Sequence, residues 1–274
     1  MSATATATRT VPARRVRLRQ IVLPTEHGSW GFLFEPIVAG LAVAFSAAGL
    51  WIAVAVIGAF LARRPLQVLL TVWRRGDPNM IAPVAANFLT SFSILIGGGI
   101  VGAAISGGWQ CLIPLAAVLP LALFQLWYEA ARPGRQLFAE LSGGIVMAAT
   151  AASMALAAGK GWTVAAGLWF IFAARFLPSV LYVRNRLALD KGKPVSFAVP
   201  ILGHVVALGA AAALAGSGII PLLPVAMFML LFLRAAIGLS PARRKVKAMR
   251  IGVWEVIYGA LLVAVVIISY ATAT

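Results

Sequence analysis

Acid–base and metal chemistry have little to draw on in this sequence. Among 274 residues there are seven Asp and Glu, two His and one Cys. The single Cys111 excludes an intramolecular disulfide and any thiolate metal cluster. His27 and His204 stand far apart in the chain, so neither a metal site nor a cofactor is expected. Charge is scarce as well. Charged residues make up 11% of the chain, against about 25% in an ordinary soluble domain. The short alternating segments of a β-barrel are also missing.

What is present is apolar length. The chain is 62% hydrophobic with a mean hydropathy of +0.97, and runs near the ~20 residues that cross a bilayer recur throughout. The expected fold is all-α, a polytopic membrane protein with about nine transmembrane helices. They are placed near 28–47, 50–72, 80–105, 111–130, 139–158, 162–183, 196–215, 218–238 and 250–271. Residues 21–274 are read as a single transmembrane domain. Residues 1–20, "MSATATATRTVPARRVRLRQ", are Ala/Thr-rich and then basic, without a hydrophobic core. They resemble neither a cleavable signal peptide nor a folded unit, and read as a flexible cytoplasmic arm near anionic head groups.

The net charge of +16 raises the question of nucleic acid, but its distribution answers it. The connections "SAAG", "SGGWQ", "GKGW" and "GSG" are short and nearly uncharged, whereas "RRGDPN", "ARPGRQ", "RNRLALDKGKP" and "SPARRKVKAMR" are basic. Of 23 Lys and Arg, 21 fall on one side of an alternating path; Lys160 lies opposite and Arg175 inside an apolar run. This is the positive-inside pattern of a chain with its N-terminus in and C-terminus out. No nucleic-acid partner is expected; membrane lipids are. Arg63 and Arg64 come early in the second run. Either that helix is short and Pro65 starts an interfacial segment, or it continues and the arginines face a cavity.

Ionisable groups inside spans are costly and usually face a cavity or a partner. Here they gather toward the basic-loop side. Glu26 and His27 enter the first helix, with Glu35 about two turns deeper; His27, Gly31 and Glu35 share a face. Asn87 lies near the start of the third helix. Gln125, Tyr128 and Glu129 close the fourth, and Glu140 opens the fifth. Arg175, Ser179, Tyr182 and Arg186 form a stripe on the sixth. His204 begins the seventh, Arg234 ends the eighth, and Glu255 with Tyr258 begin the ninth. A polar chamber near the cytoplasmic side follows, rather than a path across the whole bilayer. Glu26 and His27 also suit a helix entry at the interface. Glu35 reads as a functional carboxylate or as half of a structural ion pair with Arg175 or Arg63. His204 reads as an interfacial histidine.

The segments "LPTEHGSWGFLFEP", "ARRPLQ" and "RNRLALDKG" together resemble the YwiC-like family of bacterial integral membrane proteins, over about residues 20–195. That resemblance implies the bacterial inner (cytoplasmic) membrane. The layout also resembles, more weakly, the UbiA-type intramembrane prenyltransferases, which have nine helices, N-in, and a central cavity near the cytoplasmic side. Their Asp-rich Mg²⁺ motifs follow helices 2 and 6. In this chain those positions carry arginines, with only Asp77 and Asp190. The resemblance therefore implies an anionic lipid or isoprenoid-phosphate ligand bound through arginine rather than metal.

On this reading Glu35 and His27 are the candidate catalytic groups. Glu26, Arg63, Arg64, Asn87, Tyr128, Arg175, Tyr182, Arg184 and Arg186 are the candidate binding groups. Whether the chain is an enzyme stays open. A secondary transporter of a small anion and a non-catalytic membrane subunit fit the same residues.

Overall fold

The computed structural model of the chain describes residues 27–75, 81–131 and 136–272. Among them nine α-helices follow one another: α1 His27–Val43, α2 Ala47–Arg75, α3 Ile81–Gly107, α4 Ile113–Ala131, α5 Leu137–Ala157, α6 Trp162–Asp190, α7 Ala198–Gly216, α8 Leu223–Leu239 and α9 Ala248–Thr272. A 3-10 turn, Trp109–Leu112, leads into α4. The described residues contain no strand. Seven of the helices are long and apolar enough to cross a membrane, whereas α1 and α8 are shorter apolar helices of 17 residues. The chain is a multi-pass helical membrane protein. The expected arm, residues 1–20, lies outside the described residues.

Two helices run beyond their expected ends. α2 continues through Pro65 to Arg75, which settles the alternatives for Arg63 and Arg64: the helix continues. A proline removes one backbone donor, but a membrane helix can re-satisfy the freed carbonyl locally. α6 likewise passes the predicted end at 183 and runs two turns further, so "RNRLALD" is helical rather than a loop. The stop signal is Gly192, not the arginines. Gly192 has φ 72°, and Gly192 N donates to Leu189 O at 3.0 Å while Lys193 N donates to Ala188 O at 3.0 Å. That pair of bonds is a Schellman closure, which needs a residue at positive φ. Gly159 ends α5 in the same way.

α5 is the central element. Its buried face is nearly all small: Gly143, Gly144, Ala148, Ala149, Ala151, Ala152, Ser153 and Ala155. Small residues let neighbouring backbones approach, which is how helices associate where lipid is as apolar as the side chains. α1, α2, α4 and α6 pack on it, and α9 closes against α1 and α8. One apolar core joins α5 to α6 and α9 around Leu168, Phe172, Phe176 and Leu262; a second joins α1 to α2 around Leu33, Ile52 and Phe60.

α2 and α3 pack with their backbones close together. A Cβ on Gly99 would lie 2.6 Å from Ala55 N, whereas the adjacent Gly97 and Gly98 face open space. Gly99→Leu is therefore expected to lower the thermal midpoint in detergent, at an overpacking cost of about 1–3 kcal/mol or more. Gly97→Leu and Gly98→Leu should leave it unchanged or raised. Equal midpoints for all three variants would contradict the observed contact.

Candidate functional site

Five helices bring ionisable side chains to one buried point. Glu35 lies about two turns into α1 and Glu255 about two turns into α9. His204 lies near the start of α7, Arg234 a turn before the end of α8, and Arg175 midway along α6. These contacts place the starts of α1, α7 and α9 beside the later halves of α6 and α8. The basic connections 191–197 and 240–247 thus share one end of the bundle with the network. In the same way Arg63 of α2 meets Glu129 near the end of α4, and Arg184 of α6 meets Glu140 at the start of α5.

At the centre is Arg175, 1% exposed. Its Nη1 lies 3.3 Å from Glu255 Oε2 and also donates to Ser179 Oγ. Its Nη2 donates to the Glu255 backbone carbonyl at 3.0 Å and stands 3.8 Å from Glu35 Oε1. Glu255 uses its other oxygen, Oε1, for Arg234. The Arg234 guanidinium sits 4.2 Å from the centre of the Tyr182 ring and 5.3 Å from that of Tyr258, where the ring quadrupoles attract it.

His204 completes the chain of contacts. Its Nδ1 lies 2.8 Å from the Pro200 carbonyl, which can only accept, so the proton sits on Nδ1. Nε2 is then the acceptor for Arg234 Nη2 at 3.3 Å. The order is Glu35, Arg175, Glu255, Arg234, His204: two carboxylates alternate with two guanidinium groups, ending on an imidazole. With both acids ionised the charges cancel, which is what a low-dielectric interior demands.

Glu35 is held the least. Its ion pair is the longest in the network, its Oε2 has no hydrogen-bond partner, and it is 8% exposed. The carboxylate rests on the backbone of α9, because a Cβ on Gly259 would lie 1.9 Å from Glu35 Oε1. Gly238 similarly makes room for Tyr182, whose hydroxyl would lie 2.4 Å from a Cβ there.

The other predicted residues separate into smaller groups. Arg63 pairs with Glu129 at 3.5 Å, and Gln67 and Gln125 donate to the same carboxylate. Arg64 donates to Gln67 at 3.4 Å. Tyr128 packs its ring on Phe124 and Phe138 beside this group. Arg184 pairs with Glu140 at 3.1 Å. Arg186 binds Asp190 at 3.1 Å and donates to the Gly238 and Arg244 carbonyls. Asn87 is exposed on α3, which packs mainly on α2. Glu26 lies outside the described residues, and of His27 only the backbone, at the start of α1, is described.

The structure thus joins three predicted residues, Glu35, Arg175 and Tyr182, to three that were noted but not selected: His204, Arg234 and Glu255. The signal was available. Each is an ionisable group within an apolar run, near the basic-loop end. Among the described residues no group of three or more His, Cys, Asp and Glu could hold a metal ion.

The family model described as YwiC-like protein matches residues 23–158, so the chain is YwiC-like from the segment before α1 to the close of α5. The third motif of the resemblance, "RNRLALDKG", lies in and just after α6, beyond the matched span. No curated protein and no solved structure matches the chain.

The packing of Glu35 on Gly259 can be measured. Gly259→Ala should lower the thermal midpoint by several degrees, and Glu35→Ala in the same chain should recover part of the loss. The expected coupling is about 0.5–3 kcal/mol. Strictly additive effects would mean that the two residues do not meet.

Proposed function

We propose that this YwiC-like membrane protein binds an anionic amphiphile, a lipid or isoprenoid phosphate, at the cytoplasmic side of a bacterial inner membrane. One observation supports this reading above the others. All five acidic residues among the described residues pair with arginine, and all the pairs lie toward one end of the bundle. Such a set offers an incoming anion several cations onto which it can exchange for a carboxylate.

Arg63 and Arg184, whose side chains are 16% and 34% exposed, are the entry cations. Arg175 is the deep one, and Glu35, bound at 3.8 Å, is the carboxylate that gives way. A phosphate matches the guanidinium fork better than a single carboxylate oxygen does. Protonation of Glu35 on release would keep the buried charge balanced. In a transfer reaction the same arginines would stabilise a departing phosphate, and the freed Glu35 would accept a proton. Arg186, whose contacts are all internal, stays with the fold.

The test is mass spectrometry of small molecules that co-purify with the full chain. A phosphate-bearing amphiphile is expected with the wild type, reduced by Arg184→Ala and by Arg63→Ala and lost in Arg175→Gln. Glu35→Gln should retain more of it, since the competing charge is gone. Unchanged retention across the arginine variants would overturn the reading. Proton-coupled uptake of a small anion into vesicles, lost in Glu35→Gln, would replace it with transport.

A further inference from the structure

A second feature at the basic-loop end takes no part in the buried network. Between the start of α7 and the end of α8 lies a cleft of about 410 Å³, whose lining includes Phe197, Ile201, Ala236, Leu239, Ser240 and Arg243. Its volume falls in the ~300–1,000 Å³ range of small-molecule sites. Its walls are apolar and its rim is cationic. Phe197 is 47% exposed at the mouth.

The rim is built rather than incidental. Arg186 donates to the carbonyls of Gly238 and Arg244, tying the end of α8 and the following loop to α6. Asp190 pairs with Arg186 at 3.1 Å and with Arg243 at 3.7 Å. One carboxylate thus serves two guanidinium groups and leaves a positive charge over. Arg244, Lys245 and Lys247 on the same loop, and Lys191 and Lys193 on the loop before α7, are all exposed. Asp190 is the only acid within 184–193 and 240–250, which carry nine Lys and Arg.

We propose that this cleft is a site for one anionic phospholipid of the adjacent leaflet, with an acyl chain along Phe197, Ile201, Ala236 and Leu239 and its phosphate on Arg243. Charge decides among the occupants. The basic N-terminal segment of this chain and the equally basic rim of a second copy would both be repelled. A lipid with an anionic head satisfies wall and rim together, and cations near the surface attract it. The site is separate from the Arg175 network and does not depend on the function proposed above.

The full chain in detergent, given phosphatidylglycerol or phosphatidylcholine and examined by native mass spectrometry, provides the test. One phosphatidylglycerol should be retained in preference to phosphatidylcholine. Arg243→Ala and Lys245→Ala should each weaken retention by about fivefold, and Ala236→Phe, which fills the cleft without altering charge, should abolish it. Lys160→Ala, at the opposite end of the bundle, should change nothing. Equal retention of the two lipids would overturn the proposal, as would undiminished retention in the folded Arg243 and Ala236 variants. So would release by millimolar inorganic phosphate, which would make the rim a phosphate site with no need of the cleft. The Ala236→Phe chain should keep any ligand that depends on Arg175, so the two readings can fail independently.

Discussion

The structure depends on pairing arginine with carboxylate where water is excluded. A charge left alone inside a membrane bundle is expensive, and removing one partner of a buried pair costs roughly 3–5 kcal/mol. This chain places Arg175 midway along a helix at 1% exposure, and that placement obliges acids to come from elsewhere. They arrive from α1 and α9, helices far from α6 in sequence. Arg234 repeats the arrangement from α8 and shares Glu255 with Arg175. Two guanidinium groups and two carboxylates thus link four helices, and His204 adds a fifth through a neutral ring nitrogen.

Pairing at such depth is possible only where backbones come close. Gly259 lets the Glu35 carboxylate rest on α9, and Gly238 leaves space for the Tyr182 hydroxyl beneath Arg234. Along α5 a face of glycine and alanine draws α1, α2, α4 and α6 together. The bundle is therefore tight around a polar centre. Its least constrained charged group, Glu35, has one oxygen without a hydrogen-bond partner. That combination makes Glu35 the group whose state a ligand or a proton can change with the least disturbance of the rest. Toward the surface the same interactions loosen: Arg63 with Glu129 and Arg184 with Glu140 are partly exposed, where solvent screens them and exchange is easier.

Much of this was legible in the chain itself, and for physical reasons. Apolar length sets the number and order of helices, because a bilayer fixes how many residues a crossing needs. The distribution of Lys and Arg marks one end of the bundle, and the contacts of Glu35, Arg175, Glu255 and His204 agree with it, joining helix starts to helix ends as alternation requires. The stripe Arg175, Ser179, Tyr182 on α6 follows from helical spacing. The extent of α6 was misjudged by about two turns, because its arginines were taken as the edge of the membrane, whereas for α2 a continuing helix was one of the two expected alternatives. In both helices the arginines are carried inside helix and meet acids there, and the stop for α6 is the positive φ of Gly192.

The sequence by itself determined the class of protein, the order of its helices, the marked end and the roster of ionisable groups. Apolar length, charge asymmetry and composition are local properties that no partner alters. Only the tertiary structure decided which acid answers which arginine. Glu35 could have met Arg63 or Arg175, and it met Arg175. Glu255, unremarkable at the start of a late helix, became the bridge between two buried cations. Pairing of that kind depends on distances between segments 21 to 140 residues apart, and those distances are set by small residues at helix crossings, Gly259 above all.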